Sequence, residues 1–208
     1  MLISSEESIA FHESVKESIM EKYIVLILSY AFGSIPFSLI VTRIKRINLR
    51  EIGSGNIGAT NVVRTGNKKL ATLALFLDSL KGFTAVYLAY QFFDSGIYAS
   101  AILAVLGHMF PIWLKFSGGK GVATTLGILI ALNYYLALLF IFAWLAAFFA
   151  FRYSSLASLI STTVAVIAAS FFQRELFPML LILSILIFLK HHKNIANLLQ
   201  SKEYKFYK

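Results

Sequence analysis

Three polar stretches interrupt an otherwise apolar chain, and they hold the residues whose types and spacing could do chemistry. They are GSGNIGATNVVRTGNK at 53–68, GHMFPIWLKFSGGKGVATTLG at 107–127 and KHHKNIANLLQSKE at 190–203. In the first, Gly53, Gly55 and Gly58 let backbone N–H groups converge into a concave anion site. Ser54, Thr60 and Asn61 add neutral donors, and Arg64 can fork onto a phosphate. Alone, such a loop is equally well read as a turn whose glycines reverse the chain. In the second, Gly118, Gly119 and Gly121 surround Lys120, and an apolar helix is expected from Val122. A helix start carries orphan N–H donors and the positive end of the dipole, which suits a phosphate. Two anion cradles point to one phosphorylated substrate, or two.

Two familiar motifs are excluded. Residues 53–58 match G-x-G-x-x-G, but a dinucleotide site needs a strand before it and a βαβ unit around it, and none fits between apolar spans. The second stretch is not a Walker A loop, because Gly121 stands where Ser or Thr should follow the lysine. His191 and Asn194, at i and i+3, share one helix face. They can hold an imidazole beside an amide; alone, the same segment would pass for a basic cluster on anionic lipid. His108 lies three residues before Pro111, where it reads first as a hydrogen-bonded histidine of a kinked helix and second as a catalytic group. Asp78 and Lys81 form another i, i+3 pair inside an apolar run. Either they neutralise each other or they border a polar cavity beside that run.

These residues need elements to hold them. Of 208 residues, 58% are hydrophobic and 14% charged, mean hydropathy is +0.75, and there is no cysteine. Soluble domains carry about 25% charge, so a soluble globular fold is excluded by composition. Thiolate catalysis, disulfides, Cys-ligated zinc and iron–sulfur clusters are excluded too, and the histidines and carboxylates offer no metal site. A helix needs about 20 apolar residues to span the hydrocarbon. Spans are expected at Tyr23–Val41, Leu70–Phe93, Ile97–Leu114, Val122–Leu132, Tyr134–Phe151, Leu156–Phe172 and Phe177–Leu189. The run from Val122 to Phe151 would be about 45 Å long as one helix, so Asn133 is read as its break.

The expected fold is an all-α integral membrane protein with seven transmembrane helices, the N-terminus outside and the C-terminus cytoplasmic. That arrangement leaves Lys16, Lys22 and Arg174 outside and Lys81 within a span, with the rest of the 19 Lys and Arg inside. The net charge of +9 then records topology rather than nucleic-acid binding. All three polar stretches fall on the inner side. A five-span arrangement with 122–132 or a neighbour re-entrant is the rival. Residues 1–22 form an acidic extension unlike a signal peptide, Met20 is an alternative start, and 23–208 read as a single membrane domain.

Together with GSIPFSLIVTRI at 33–44 and DSLKGF at 78–83, the three stretches resemble the PlsY family of bacterial acyl-phosphate:glycerol-3-phosphate acyltransferases. The resemblance runs from about Gly33 to Glu203. It implies an integral membrane enzyme with its site facing the cytoplasm, and functional parts for Ser54, Arg64, the glycines around Lys120, His191 and Asn194. With Lys120, whose charge neutralises a phosphate, Ser54, Arg64, His191 and Asn194 make the expected catalytic set. The surrounding glycines, with Asn56, Thr60, Asn61, Asp78, Lys81 and His108, are the expected substrate-binding set, and Glu203 is given a mainly structural part. The C-terminal stretch departs from the pattern. The family has Arg, Gly and Arg where this chain has Lys190, Ser201 and Asn197, so a turn that glycine permits lacks its glycine.

The reaction implied is transfer of a fatty acyl group from acyl phosphate to the 1-hydroxyl of glycerol 3-phosphate, giving lysophosphatidic acid and phosphate. An activated donor requires no cofactor, thiol or covalent intermediate. Expected partners are the two substrates, membrane lipid and the soluble enzyme that makes acyl phosphate. His191 is the leading general base, with a substrate phosphate as the alternative. An organic-phosphate transporter is the rival from another class; plain outer loops and the lack of an internal repeat speak against it.

Overall fold

The computed structural model describes residues 20–92 and 96–206, so residues 1–19, most of the acidic extension, lie outside it. Every regular element among the described residues is helical. The chain runs α1 (20–33), α2 (Phe37–Ile44), α3 (Ala59–Val63), α4 (Lys68–Phe92), α5 (Ile97–Met109), α6 (Val122–Leu132), α7 (Tyr134–Phe151), α8 (Ser154–Phe172), α9 (Phe177–Lys190) and α10 (His192–Leu199).

Among the described residues, five helical segments are long and apolar enough to cross a membrane, with Met20–Ile44 and Ile97–Leu114 each counted as one segment through its break, or six when α9 and α10, bent by 61°, are taken as one broken span. At 11 residues, α6 is shorter than a span requires. The described residues therefore form an all-helical membrane protein with five or six candidate spans. Asn133 does divide the long apolar run: its side chain accepts from the Leu136 N–H at 3.0 Å and caps α7.

The first span differs from the uninterrupted run expected. Pro36 cannot continue the helix, and the chain opens between α1 and α2. The carbonyls freed there are met from elsewhere: Trp113 Nε1 donates to Ser34 O at 2.9 Å and Lys81 Nζ to Ile35 O at 3.0 Å. Likewise α5 stops at Met109, ahead of Pro111, and a 3₁₀ turn at Ile112–Leu114 follows.

Two apolar clusters hold the bundle together. The larger joins α4 to α9 around Val105, Met109, Ile128, Leu129 and Leu183; the smaller packs Leu39, Leu49, Ile57, Val62 and Ala74 beneath the first polar stretch. Without a hydrophobic drive between helices in lipid, close backbone approach has to bind them. α4 and α6 cross on glycine, and a Cβ on Gly82 or Gly127 would collide with the carbonyl of Thr124 or Ser79. This crossing seats the N-terminus of the short α6 against the middle of α4.

Candidate functional site

Between the two clusters lies a cavity of about 590 Å³ that all three polar stretches reach. Ser54, Asn56, Gly58, Thr60 and Arg64 border it from the first stretch, Lys120 and Gly121 from the second, and His191 and Asn194 from the third. Asp78 and His108 border it as well. Residues more than 130 positions apart therefore share one chamber.

Asn61 organises the first stretch from beneath. Its amide nitrogen donates to Leu49 O at 3.1 Å and Ile52 O at 2.8 Å, and its oxygen accepts from Ser54 N at 3.2 Å and Arg64 Nη1 at 3.1 Å. Asn61 is buried and lies outside the cavity, and so does Gly55. Gly53 opens instead onto a smaller cavity of about 360 Å³ shared with Arg64 and Tyr204. The Ser54 N–H is spent on Asn61, so the loop does not present the row of free N–H groups that its glycines suggest. The Arg64 guanidinium sits 4.7 Å from the Tyr204 ring centre and 5.0 Å from that of Phe206.

The second stretch departs further from expectation. Gly118 and Gly119 do not border the cavity; their N–H groups donate to Met109 O at 3.1 Å and His108 O at 3.0 Å, closing the end of α5. The His108 ring fills the space a Cβ on Gly119 would take. The anion-binding feature that remains is Lys120 with the start of α6. Gly121, at φ +82°, turns the chain, α6 has no side-chain cap, and Gly121, Val122 and Ala123 face the cavity. Orphan donors of a first helical turn so placed suit an anion. Burial draws the Lys120 ammonium down to about 8; Glu203 opposes that shift, and Arg64 and Lys190 add to it.

His191 is buried at the bend between α9 and α10. Its Nδ1 lies 2.8 Å from Ile187 O, which makes Nδ1 the protonated nitrogen and leaves Nε2 as an acceptor. Asn194 accepts from Lys120 Nζ at 2.6 Å and donates to Glu203 Oε1 at 2.7 Å, and Ser155 Oγ donates to the same carboxylate oxygen at 2.7 Å.

Asp78 and Lys81 form a buried ion pair, 3.0 Å from Oδ1 to Nζ. Ser38 Oγ donates to Asp78 Oδ2 at 2.8 Å, and His108 Nδ1 lies 3.7 Å from Oδ1. Lys81 is turned toward the break at Ile35 and lies outside the cavity. Its charge meets the Asp78 carboxylate and the Ile35 carbonyl at the broken helix.

Sequence reasoning missed Lys68 and Thr72 on the α4 wall, Glu203 as a cavity group, and Ser154, Ser155 and Ser158 on α8. The serine spacing, i and i+3 or i+4 within an apolar span, was the available signal. The rest of the lining is largely apolar, with Leu75 on α4, Leu126 on α6 and Phe140, Ile141, Trp144 and Leu145 on α7. One cavity thus combines charged groups with hydrocarbon-like lining, which fits an amphiphile with a phosphate head.

The family described as glycerol-3-phosphate acyltransferase matches residues 23–201. A glycerol-3-phosphate acyltransferase of Wolbachia pipientis subsp. Culex pipiens (strain wPip) is 74% identical over 190 residues, 90% of this chain and 100% of the relative. One from Mesorhizobium japonicum is 48% identical, covering 88% and 94%. Two crystal structures of PlsY (YgiH), an integral membrane glycerol 3-phosphate acyltransferase, share the fold. The glycerol 3-phosphate form gives TM-score 0.84 at 37% identity, over 89% of this chain and 96% of that one. The lysophosphatidic acid form gives 0.83 at 36%, over 89% and 95%.

Proposed function

Since the chain belongs to the glycerol-3-phosphate acyltransferase family, we propose that it moves a fatty acyl group from acyl phosphate to the 1-hydroxyl of glycerol 3-phosphate. The family places it in phospholipid biosynthesis, as an integral membrane acyltransferase. The observation that carries the finer reading is the single cavity in which Arg64 and Lys120 meet the apolar wall of Leu126, Phe140 and Trp144. Both proposed substrates bear phosphate and one bears a long chain, so the site must combine cations with hydrocarbon.

The chemistry is direct attack in a ternary complex. The 1-hydroxyl oxygen of glycerol 3-phosphate forms a bond to the acyl carbonyl carbon. The bond from that carbon to the phosphate oxygen breaks, and phosphate leaves with the electron pair. The hydroxyl proton passes to His191 Nε2, the nitrogen left as acceptor by the contact to Ile187 O. A positioned base contributes roughly 10²–10⁴-fold. Lys120, Arg64 and the first N–H groups of α6 hold the phosphates, while Ser54, Asn56, Gly58 and Thr60 orient them. Fixing both substrates in one chamber converts a bimolecular encounter into a local one, and each donor aimed at the developing oxyanion supplies about 3–4 kcal/mol. Asn194 orients Lys120, and Asp78 with His108 forms the polar floor. Asn61, Gly53, Gly55, Gly118 and Gly119 shape the loops that carry these groups.

The proposed setting is the bacterial cytoplasmic membrane, with seven membrane segments, the N-terminus outside and the site on the cytoplasmic face, the side on which the basic residues collect. A soluble enzyme that forms acyl phosphate would deliver its product there. The deciding measurement is phosphate release by detergent-purified protein given palmitoyl phosphate, with and without glycerol 3-phosphate. Release that depends on the acceptor, matched by lysophosphatidic acid, is the expected result. Folded protein that releases none would overturn the reading in favour of transport.

A further inference from the structure

We propose that Tyr204 and Phe206 are positioning residues for Arg64, their two rings forming a clamp that aims its guanidinium at a substrate phosphate. This rests on the reading of Arg64 as a phosphate-binding group. The two residues lie beyond 201, where the family match ends.

The clamp is built from separate elements. Tyr204 and Phe206 lie 4.7 and 5.0 Å from the guanidinium carbon, inside the roughly 6 Å range of cation–π attraction. Asn61 Oδ1 takes Nη1 at 3.1 Å from below. One donor of the fork is thereby fixed and the plane is held, while the remaining N–H groups stay available at the cavity that Arg64 borders.

The segment carrying the rings is itself anchored. It leaves α10 through Lys202 N to Asn197 O at 2.7 Å, and Phe206 N donates to Arg152 O at 2.8 Å. The Phe206 ring meets the Phe148 ring edge-on at 5.5 Å, and Lys205 lies 5.7 Å from the Tyr153 ring centre. Between these anchors Glu203 accepts from Asn194 and Ser155. The strap therefore bears on both cationic arms of the site, on Lys120 through Asn194 and on Arg64 through the rings. A long arginine side chain loses rotamer freedom when it binds a ligand; holding it in place beforehand strengthens binding without adding a contact to the ligand.

The test compares steady-state kinetics of wild type, Tyr204→Leu/Phe206→Leu, Tyr204→Leu alone, Tyr204→Phe alone, and Arg64→Lys with and without the double change, with thermal unfolding of each. The expected result is a KM for one phosphorylated substrate raised roughly five- to thirty-fold in the double variant with little change in kcat. Tyr204→Phe, which keeps the ring, should stay near wild type while Tyr204→Leu does not. In the Arg64→Lys background, where no guanidinium plane remains, the double change should have less effect than it has alone. Equal effects of Tyr204→Phe and Tyr204→Leu, or a kcat and folded fraction that fall together at constant KM, would overturn the clamp. Arg64→Lys with wild-type kinetics would overturn the phosphate-binding reading of Arg64. A raised KM in Arg64→Lys beside wild-type kinetics in the ring variants would overturn the clamp alone. Should the double variant fail to fold, the two single Tyr204 variants decide.

Discussion

Lys120 Nζ donates to Asn194 Oδ1 across 2.6 Å, joining the glycine-rich turn before α6 to the helix that follows α9. The amide can be oriented only one way, because Lys120 only donates and the Glu203 carboxylate on its other side only accepts. Asn194 stands between Lys120 and Glu203, so the ammonium is aimed by a neutral group and keeps its charge for an anion.

That charge sets a pH limit. Burial brings Lys120 to about 8 in the free protein, and the cation is present below that value and lost above it. kcat/KM, which reports the free enzyme, should therefore fall as pH rises through about 8. A bound phosphate favours the cation, so the corresponding limb of kcat should lie at higher pH. Lys120→Arg, charged throughout, should remove the limb from kcat/KM whatever it does to the plateau. A limb unchanged in Lys120→Arg would assign it to another group.

His191 presents only Nε2 to a substrate, since Nδ1 is held by Ile187 O. His191→Ala should lower kcat by roughly 10²–10⁴-fold at saturating substrates if Nε2 takes the hydroxyl proton. Turnover near normal in a folded variant would hand that proton to a substrate phosphate.

The helices were legible because apolar runs and basic loops are local signals. Most boundaries fall within two residues of expectation, and Asn133 broke the long run as its cap chemistry requires. The opening at Pro36 was not legible, because it rests on Trp113 and Lys81 meeting the carbonyls of Ser34 and Ile35 from other helices. The glycines show the same limit at the site. Gly118 and Gly119 look like a phosphate cradle in isolation, yet their N–H groups close the end of α5. Asn61 looks like a ligand donor, yet all four of its contacts are internal. Spacing reveals which residues could bind; only the fold decides which still have a free donor.

Asp78 and Lys81 give a prediction about stability. Both are almost fully buried, so Asp78→Asn leaves an ammonium facing Ile35 O without its counter-charge. Breaking one side of such a pair costs about 3–5 kcal/mol. Asp78→Asn should unfold at markedly lower temperature in detergent, and Asp78→Asn with Lys81→Met should recover much of the loss. A melting temperature unchanged by Asp78→Asn would show that the pair is not what holds α4 against α2.

Ser201 gives the opposite sign. The resemblance implies glycine there, and the turn forms without it: Ser201 has φ +55°, with Ser201 N donating to Leu198 O at 3.1 Å and Lys202 N to Asn197 O at 2.7 Å. A side chain in the left-handed region is strained by roughly 1–2 kcal/mol, and glycine relieves it at some expense in unfolded-chain entropy. Ser201→Gly should therefore stabilise the folded protein by about 0.5–1 kcal/mol, read as a higher melting temperature with kcat and KM unchanged. Ser201→Val, β-branched at the same φ, should move the melting temperature the other way. Because the turn sends Glu203 to Asn194 and Ser155, that variant should also lose activity beyond its loss of folded protein. Activity that tracks only the folded fraction would confine the turn to a structural part.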